Sequence, residues 1–339
     1  MNKDTLWLQV PAAKTQPLNI NVAASYRDKT TKKLEALSAR LVTLQNSERL
    51  STNQTTIILF VADHGIAMDK KLNSIHPVST TLLKSFSATS DTNHLINKTL
   101  NAQLEVINLG TKIKSENIAG IINSKINSST ANICHAPTMN NEQLAKAINT
   151  GRQAAQRIKR SGADFFVARE INHANALSAL AISSALLDIE LDVLSEVEFE
   201  EKQVIQQVLA LHKTKLTSPL EILRCLGSFE IAALTGSYLC CAHMGFPVLV
   251  DGFASAVAAL VASRLCHGAE QWFLYSTTPT NSAHKLIFKT LKAQPLLQEK
   301  QNFDHVAGIM MALSLLHLSC NNHNEMLDFT EEKLLKIYS

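Results

Sequence analysis

Residues 56–65 have the sequence TIILFVADHG, an apolar run that ends in two polar residues and a glycine. A short run with almost no polar positions is typical of a strand that is buried on both faces of a parallel sheet. The run therefore predicts a central strand over 56–62. Asp63, His64 and Gly65 then lie at its carboxyl end, which is where open parallel sheets bind ligands.

Similar apolar runs and helical patterns follow along the chain. The runs predict strands at 104–109, 164–168, 247–250 and 271–275. Helical spacing of apolar residues predicts helices at 34–44, from 91, at 174–187, 200–212, 218–243 and 254–265, and after 275 to the end. A long amphipathic helix that ends at 161 is also predicted, with either Thr138 or Asn140 as its N-cap. Strands that alternate with such helices need crossover connections, so the sequence predicts an α/β fold with a doubly wound, Rossmann-like parallel sheet. The segment 111–137 is predicted to be a loop.

The two chain ends are predicted to form a second, smaller helical domain. We expect a large α/β domain over 50–305 that binds nucleotide and base, and a small domain made of 1–49 together with 306–339.

Composition excludes several classes of protein. The chain has 339 residues, 46% hydrophobic and 18% charged, with a net charge of +3. This is too apolar for a disordered chain and too balanced in charge for binding nucleic acid or an anionic membrane surface. The six cysteines form no C-x-x-C pair, and the first 18 residues contain no apolar signal core, so we expect a cytoplasmic protein. The stretch 231–263 is interrupted by glycine, proline and aspartate, unlike a membrane span.

Four polar clusters could carry chemistry, and each has a structural alternative. Asp63 and His64 could bind a ribose hydroxyl or a phosphate, or they could cap the next segment and bond a carbonyl. Asp251 precedes a helix, where it is either a ligand for a hydroxyl or the helix N-cap. Glu170 could be a base or could bind a hydroxyl, whereas Asn175 beside it could cap a helix. Asp304 and His305, before an apolar helix, could act as acid or base, or Asp304 could be a first-turn helix charge.

Other common sites are not indicated. The sequence contains no G-x-G-x-x-G, P-loop or G-x-S-x-G motif. His305 and His317 are twelve residues apart, which is not a metal-ligand spacing, and Cys240 and Cys241 are expected to be small core residues. We therefore expect no metal and no cofactor.

Seven segments, taken in order, resemble the nicotinate-nucleotide:dimethylbenzimidazole phosphoribosyltransferases of cobalamin lower-ligand synthesis. The most specific is VLVDGF at 248–253, which is similar to the family's P-V-[LV]-[LV]-D-G-F. The others are VADHGI at 61–66, SIHP at 74–77 with Thr81, NI at 132–133, APTM at 136–139, the strand and polar cluster at 163–175, and the segment 227–236. The resemblance covers about residues 30–330.

The resemblance implies an activity and a set of site residues. It implies transfer of phosphoribose from nicotinate mononucleotide to a benzimidazole-like base with release of nicotinate, by a homodimer whose partners are small molecules. It implies that Asp304 is the general base and that Glu170 also takes part in catalysis. The implied substrate-binding residues are Asp63, His64, Ser74, Leu83, Arg169, Asn175, Asp251, Gly252, Phe253 and Ser276.

Several positions depart from the family pattern. Asp304 stands where the family has a glutamate in a glycine-rich loop, and Leu83 stands where it has the glutamine that contacts the base. The phosphate-binding glycines are replaced at 188–196 by a segment with four carboxylates, which would repel a phosphate dianion. We therefore expect weak binding of nicotinate mononucleotide, with Arg169 as a compensating positive charge. Two functions remain: an active transferase with altered substrate preference, and a degenerate member that only binds a small aromatic, a nucleotide or a partner protein.

Overall fold

The structure is a computed structural model of the chain. It describes residues 29–52, 55–68, 76–78, 80–113, 118–171, 174–194, 196–279, 281–298 and 306–338.

Helices and strands alternate along these residues. The strands are β1 (Thr55–Ala62), β2 (Ala102–Gly110), β3 (Ile121–Asn123), β4 (Phe166–Glu170), β5 (Val248–Val250), β6 (Phe273–Thr277) and β7 (Pro295–Leu297). The helices are α1 (Lys29–Gln45), α2 (Thr80–Ser85), α3 (Asp91–Leu100), α4 (Asn141–Arg160), α5 (Ala174–Leu187), α6 (Phe199–His212), α7 (Pro219–Leu226), α8 (Phe229–Met244), α9 (Phe253–Leu265), α10 (Ser282–Leu291) and α11 (Ala307–Tyr338).

The seven strands form one parallel sheet in the order β3-β2-β1-β4-β5-β6-β7. This confirms the predicted doubly wound α/β fold. The order changes direction between β1 and β4, because the chain first builds outward to β2 and β3 and then returns to the other side of β1. Such a switch point opens a crevice at the carboxyl ends of the strands.

Three details differ from the sequence-based prediction. The segment 111–137 contains the edge strand β3, and the strand β7 follows α10. Both strands are three residues long, which is too short to show an alternating pattern. The predicted helix over 218–243 is two helices, because Gly227 has extended backbone and Ser228 caps the next helix by accepting from Ile231 N.

The sheet is covered by helices on both faces. Alternate residues of β1 belong to two different apolar clusters: Ile58 and Phe60 face α4, α5, α8 and α9, whereas Ile57 and Leu59 face α1, α3 and α11. This explains why 57–62 are apolar at every position. The terminal helices α1 and α11 pack together, with 2.9 Å between the hydroxyl oxygens of Ser38 and Ser319. None of the helices among the described residues is long and apolar enough to cross a membrane.

Two glycines lie at the contact between α4 and α8. A Cβ on Gly151 of α4 would lie 1.8 Å from the carbonyl oxygen of Ala233 in α8, and a Cβ on Gly236 would lie 2.2 Å from that of Ile148. The hydroxyl of Ser237 donates to Gly151 O at 3.0 Å across the same contact. The backbones of α4 and α8 can therefore touch only because neither position carries a side chain, and this fixes α8 beneath the switch point.

Candidate functional site

Polar side chains from several strand ends meet at the switch point. Asp63 and His64 follow β1, and Glu170 ends β4, where it pairs in register with Phe60. Asp251 follows β5 and Ser276 lies near the end of β6. The sequence analysis placed the site at these strand ends, and the structure brings these residues to one edge of the sheet.

Asp63 joins two loops to the end of β1. Its Oδ1 accepts from the amide of Val78 at 2.6 Å, and its Oδ2 accepts from the amide of Lys112 at 2.8 Å. The side chain is 1% exposed. Both oxygens are therefore used by backbone amides, so Asp63 shapes the crevice wall through the two loops it holds.

His64 belongs to a buried network centred on Glu230, in the first turn of α8. Glu230 Oε1 accepts from Ala62 N at 3.0 Å and from Asn175 Nδ2 at 3.1 Å, and it lies 3.3 Å from His64 Nε2. Asn175 Oδ1 accepts in turn from the hydroxyl of Ser228 at 2.6 Å. His64 and Asn175 are 2% and 1% exposed, so both are held mainly by protein partners.

Glu170 is a buried carboxyl group among other acidic groups. Burial raises the pKa of Glu170 to about 7, the Arg169 guanidinium opposes this rise, and the charges of Glu230 and Asp251 add to it. The hydroxyl of Ser255 donates to Glu170 Oε2 at 3.4 Å. A carboxyl group with this pKa exchanges a proton readily near neutral pH, which suits a general acid or base.

Arg169 and Ser276 both bind Asp251. Arg169 Nη1 donates to Asp251 Oδ2 at 2.6 Å, and the hydroxyl of Ser276 donates to Asp251 Oδ1. Asp251 and Ser276 are buried, whereas Arg169 keeps 16% of its side chain exposed. The positive charge predicted to compensate for the missing phosphate glycines is thus already paired with a carboxylate.

Gly252 and Phe253 continue this part of the site into α9. Gly252 has φ +89°, and a Cβ there would lie 3.4 Å from Arg169 Cζ, so the guanidinium lies against the bare backbone. The Phe253 ring stands 5.6 Å from that of His284, centre to centre. Burial lowers the pKa of His284 to about 3, so this imidazole is neutral and acts as an apolar wall behind Phe253.

Of the other predicted site residues, one lies in the apolar core and two fall outside the described residues. Leu83 is fully buried in the apolar cluster with α1, α3 and α11. Ser74 and Asp304, and with Asp304 its rival His305, fall outside the described residues. Within the part of the chain that the structure describes, no group of three or more His, Cys, Asp or Glu side chains could hold a metal ion.

The acidic segment after α5 is on the surface. Asp188, Glu190, Asp192 and Glu196 are all exposed. Glu196 accepts from the amide of Ser282 and, at 3.0 Å, from its hydroxyl. Its carboxylate thus lies at the N-terminus of α10, a position that favours an anion.

Glu230 was missed as an individual site residue by the sequence analysis, which contained it only within the segment 227–236. A signal for it exists, because Glu230 is the one acidic residue of α8, FEIAALTGSYLCCAHM. An acidic residue that is 0% exposed needs strong hydrogen-bond partners, and the end of β1, the turn after it and the first turn of α5 supply them.

Comparisons with known proteins show which family the chain resembles. A family model described as Phosphoribosyltransferase matches residues 28–333. The chain is 35% identical over 306 residues to the nicotinate-nucleotide–dimethylbenzimidazole phosphoribosyltransferase of Pseudomonas syringae pv. syringae (strain B728a), with 88% of this chain and 87% of that protein covered. It is 32% identical over 339 residues to the protein of the same name from Pseudomonas aeruginosa (strain UCBPP-PA14), with 96% and 97% covered.

Solved structures have the same fold. The nicotinate-nucleotide–dimethylbenzimidazole phosphoribosyltransferase of Thermus thermophilus matches with a TM-score of 0.78 and 23% identity over 95% of this chain and 94% of that chain. A structure of CobT from Thermus thermophilus matches with a TM-score of 0.77 and 22% identity over 88% and 92%.

Proposed function

The chain belongs to the phosphoribosyltransferase family, and from that premise we propose that it transfers phosphoribose from nicotinate mononucleotide to a benzimidazole-like base in cobalamin biosynthesis. The observation that carries this function is the 35% identity over 88% of the chain to an enzyme named for that reaction. The protein is accordingly an enzyme of the glycosyl-transfer type.

The leaving group of this reaction needs no general acid from the protein. A ring nitrogen of the base forms a bond to the anomeric carbon, and the bond from that carbon to the pyridinium nitrogen breaks with inversion. The pyridinium accepts the bonding electrons and leaves as neutral-ring nicotinate, so it needs no proton. The attacking base ends with one proton too many, and a carboxylate is needed to take it.

Asp304 is our proposed proton acceptor, and Glu170 is the second carboxyl group of the reaction. The start of α11, three residues after Asp304, supports the first assignment, because a Cβ on Gly308 would lie 2.9 Å from Asp251 Oδ1 and 3.4 Å from a methyl carbon of Thr277. That contact brings the beginning of α11 to the strand ends. The pKa of about 7 for Glu170 supports its role as a proton donor or acceptor for a substrate hydroxyl.

Substrate binding is shared between direct and indirect contacts. We assign direct contacts to Arg169, Gly252, Phe253 and Ser276, with Ser74 as a further ligand. We assign Asp63, Asn175, Asp251 and Leu83 to the support of these groups, since their polar atoms are occupied by protein partners or, for Leu83, the side chain is in the core. His64 is bound to Glu230 through Nε2, and we keep it as a substrate-binding residue through Nδ1.

We also propose a cytoplasmic homodimer with the two-domain division given above. All six cysteines are free, which is consistent with a reducing compartment. The packing of α1 on α11 supports a small domain built from both chain ends.

Release of nicotinate tests the proposed function. The purified protein is incubated with nicotinate mononucleotide and a panel of benzimidazoles and phenols, and nicotinate is measured together with the new riboside phosphate. We expect nicotinate and the new riboside phosphate to form in equal amounts, and only when a base is present. Binding of nucleotide or base by calorimetry without any release would support the degenerate alternative and contradict the activity.

A further inference from the structure

Glu230 is a fully buried carboxylate that the reaction described above does not use. It lies at the N-terminal end of α8, directly below the point where the strand order changes direction. Its donors come from three parts of the chain: the last residue of β1, the turn after β1, and the first turn of α5. One side chain therefore ties the end of β1 to the first turn of α5, the helix that follows β4.

The contact with His64 determines where the imidazole carries its proton. His64 Nε2 lies 3.3 Å from both carboxylate oxygens of Glu230. A carboxylate oxygen accepts hydrogen bonds, and Oε1 already accepts from Ala62 N and Asn175 Nδ2, so we assign the donor role to Nε2 as the protonated nitrogen. In a neutral imidazole the other nitrogen, Nδ1, is then an acceptor.

We propose that Glu230 is a positioning residue of the phosphoribosyl transfer: it holds His64 as the Nε2–H tautomer, so that Nδ1 stands as an acceptor for a substrate hydroxyl or N–H at the carboxyl end of β1. The inference rests on the proposed function for its catalytic part only. The tautomer assignment rests on the contact between His64 Nε2 and Glu230 and not on the reaction.

The amide of glutamine would reverse this arrangement without changing the shape of residue 230. In Glu230→Gln, the amide oxygen can still accept from Ala62 N and Asn175 Nδ2, which leaves the NH₂ group facing His64. An NH₂ group donates, so Nε2 must accept, and the proton moves to Nδ1. An imidazole in the wrong tautomer costs catalysis heavily in enzymes that depend on an oriented histidine.

The experiment measures tautomer and rate on the same proteins. Long-range ¹⁵N–¹H spectra of protein labelled at histidine nitrogen give the tautomer, with the His64 signal assigned from its loss in His64→Gln. We expect the Nε2–H pattern in the wild type, the Nδ1–H pattern in Glu230→Gln, and a fall of at least about tenfold in kcat/KM for nicotinate release in that variant. Glu221→Gln, which removes an acidic group paired with Arg224 on α7, is the matched control and keeps both wild-type values.

Other outcomes overturn the inference or point to the function instead. An unchanged tautomer in Glu230→Gln, a doubly protonated His64 in the wild type, or a changed tautomer with unchanged kcat/KM would each contradict it. If the wild type itself releases no nicotinate, the proposed function fails and the tautomer measurement still stands. If Glu230→Gln does not fold, His64→Gln replaces it for the rate, because glutamine keeps a donor for Glu230 but lacks Nδ1; wild-type turnover in that variant would also overturn the inference.

Discussion

The guanidinium of Arg169 is paired with the carboxylate of Asp251 across the ends of two neighbouring strands, with 2.6 Å between Nη1 and Oδ2. The pairing follows from the register of the sheet, in which Ala168 of β4 lies beside Val250 of β5. The next residues, Arg169 and Asp251, therefore lie side by side with opposite charges. Arg169 can offer a phosphate only the part of its charge that Asp251 does not already neutralise.

Loss of Arg169 is expected to destabilise the protein, whatever its effect on nucleotide binding. Arg169→Ala leaves Asp251 buried with Ser276 as its described partner, and we expect a loss of about 2 kcal/mol in the free energy of unfolding, below the range for fully buried pairs because Arg169 is partly exposed. Urea denaturation measures the loss. Arg157→Ala, which breaks the more exposed pair with Glu105, is the control and costs about 0.5 kcal/mol. Equal losses in the two variants would contradict the structural role.

Glu170 makes the stability of the protein depend on pH. Burial raises its pKa from 4.5 to about 7. Between pH 4.5 and 7, the carboxyl group therefore keeps its proton in the folded state but has lost it in the unfolded state. Stability from this group is complete below pH 4.5 and is lost as pH rises to 7. At pH 4.5 we expect Glu170→Gln to have nearly the same free energy of unfolding as the wild type. At pH 7.5 we expect it to be more stable by up to about 3 kcal/mol, measured by denaturation. A constant difference at both pH values would contradict the raised pKa.

The contact of α4 with α8 gives a prediction about the core. In Gly151→Ala the new methyl carbon would overlap the carbonyl of Ala233, and backbone cannot move aside as a side chain can. We expect a loss of about 3 kcal/mol in stability, even though alanine is the better helix former. Thermal unfolding measures it, with Thr150→Ala at the neighbouring half-buried position, whose hydroxyl bonds Lys146 O within α4, as control. A Tm equal to that of the control would mean that the helices separate without cost.

The sequence predicted the fold well where apolar patterns were long. Five of the seven strands were predicted, because a strand such as 56–62 must be apolar on both faces. The edge strands β3 and β7 were missed, since three residues carry no usable pattern and β7 begins with a proline. The end of α4 at Ser161 was predicted, and of the two predicted N-caps, Thr138 and Asn140, the structure has Asn140, which forms a capping box with Gln143.

The site was harder to predict, because hydrogen bonds across the fold decide what each polar residue can do. Asp63 and Asn175 have the sequence signature of ligands, yet backbone amides and Glu230 occupy their polar atoms. The pairing of Arg169 with Asp251 joins residues 82 positions apart, which no local pattern reveals. Glu230 was overlooked for the same reason.

Glu196 is expected to weaken binding of nicotinate mononucleotide. Its carboxylate holds the amide of Ser282 at the N-terminus of α10, where it competes with a phosphate for the same donor and repels it. We expect Glu196→Ala to tighten nucleotide binding by about twofold to fivefold in low salt, the effect of one exposed charge, with a smaller gain in high salt. Calorimetry at two salt concentrations measures it. Glu200→Gln, an exposed acidic residue in the first turn of α6, is the control and leaves the affinity unchanged.

The identity of the general base can be decided by comparing Asp304 with His305. The resemblance assigns the role to Asp304, whose carboxylate is one methylene shorter than the family's glutamate, so the backbone or the base must shift by about 1 Å to restore the distance for proton transfer. A shift of that size can cost about 100-fold in rate if it is not made up. We expect Asp304→Asn to abolish nicotinate release while nucleotide binding persists, because asparagine fills the same volume but accepts no proton. Asp304→Glu then tests the length argument directly, since it restores the family's side chain and is expected to raise kcat. If Asp304→Asn keeps full turnover and His305→Ala abolishes it, the imidazole is the base.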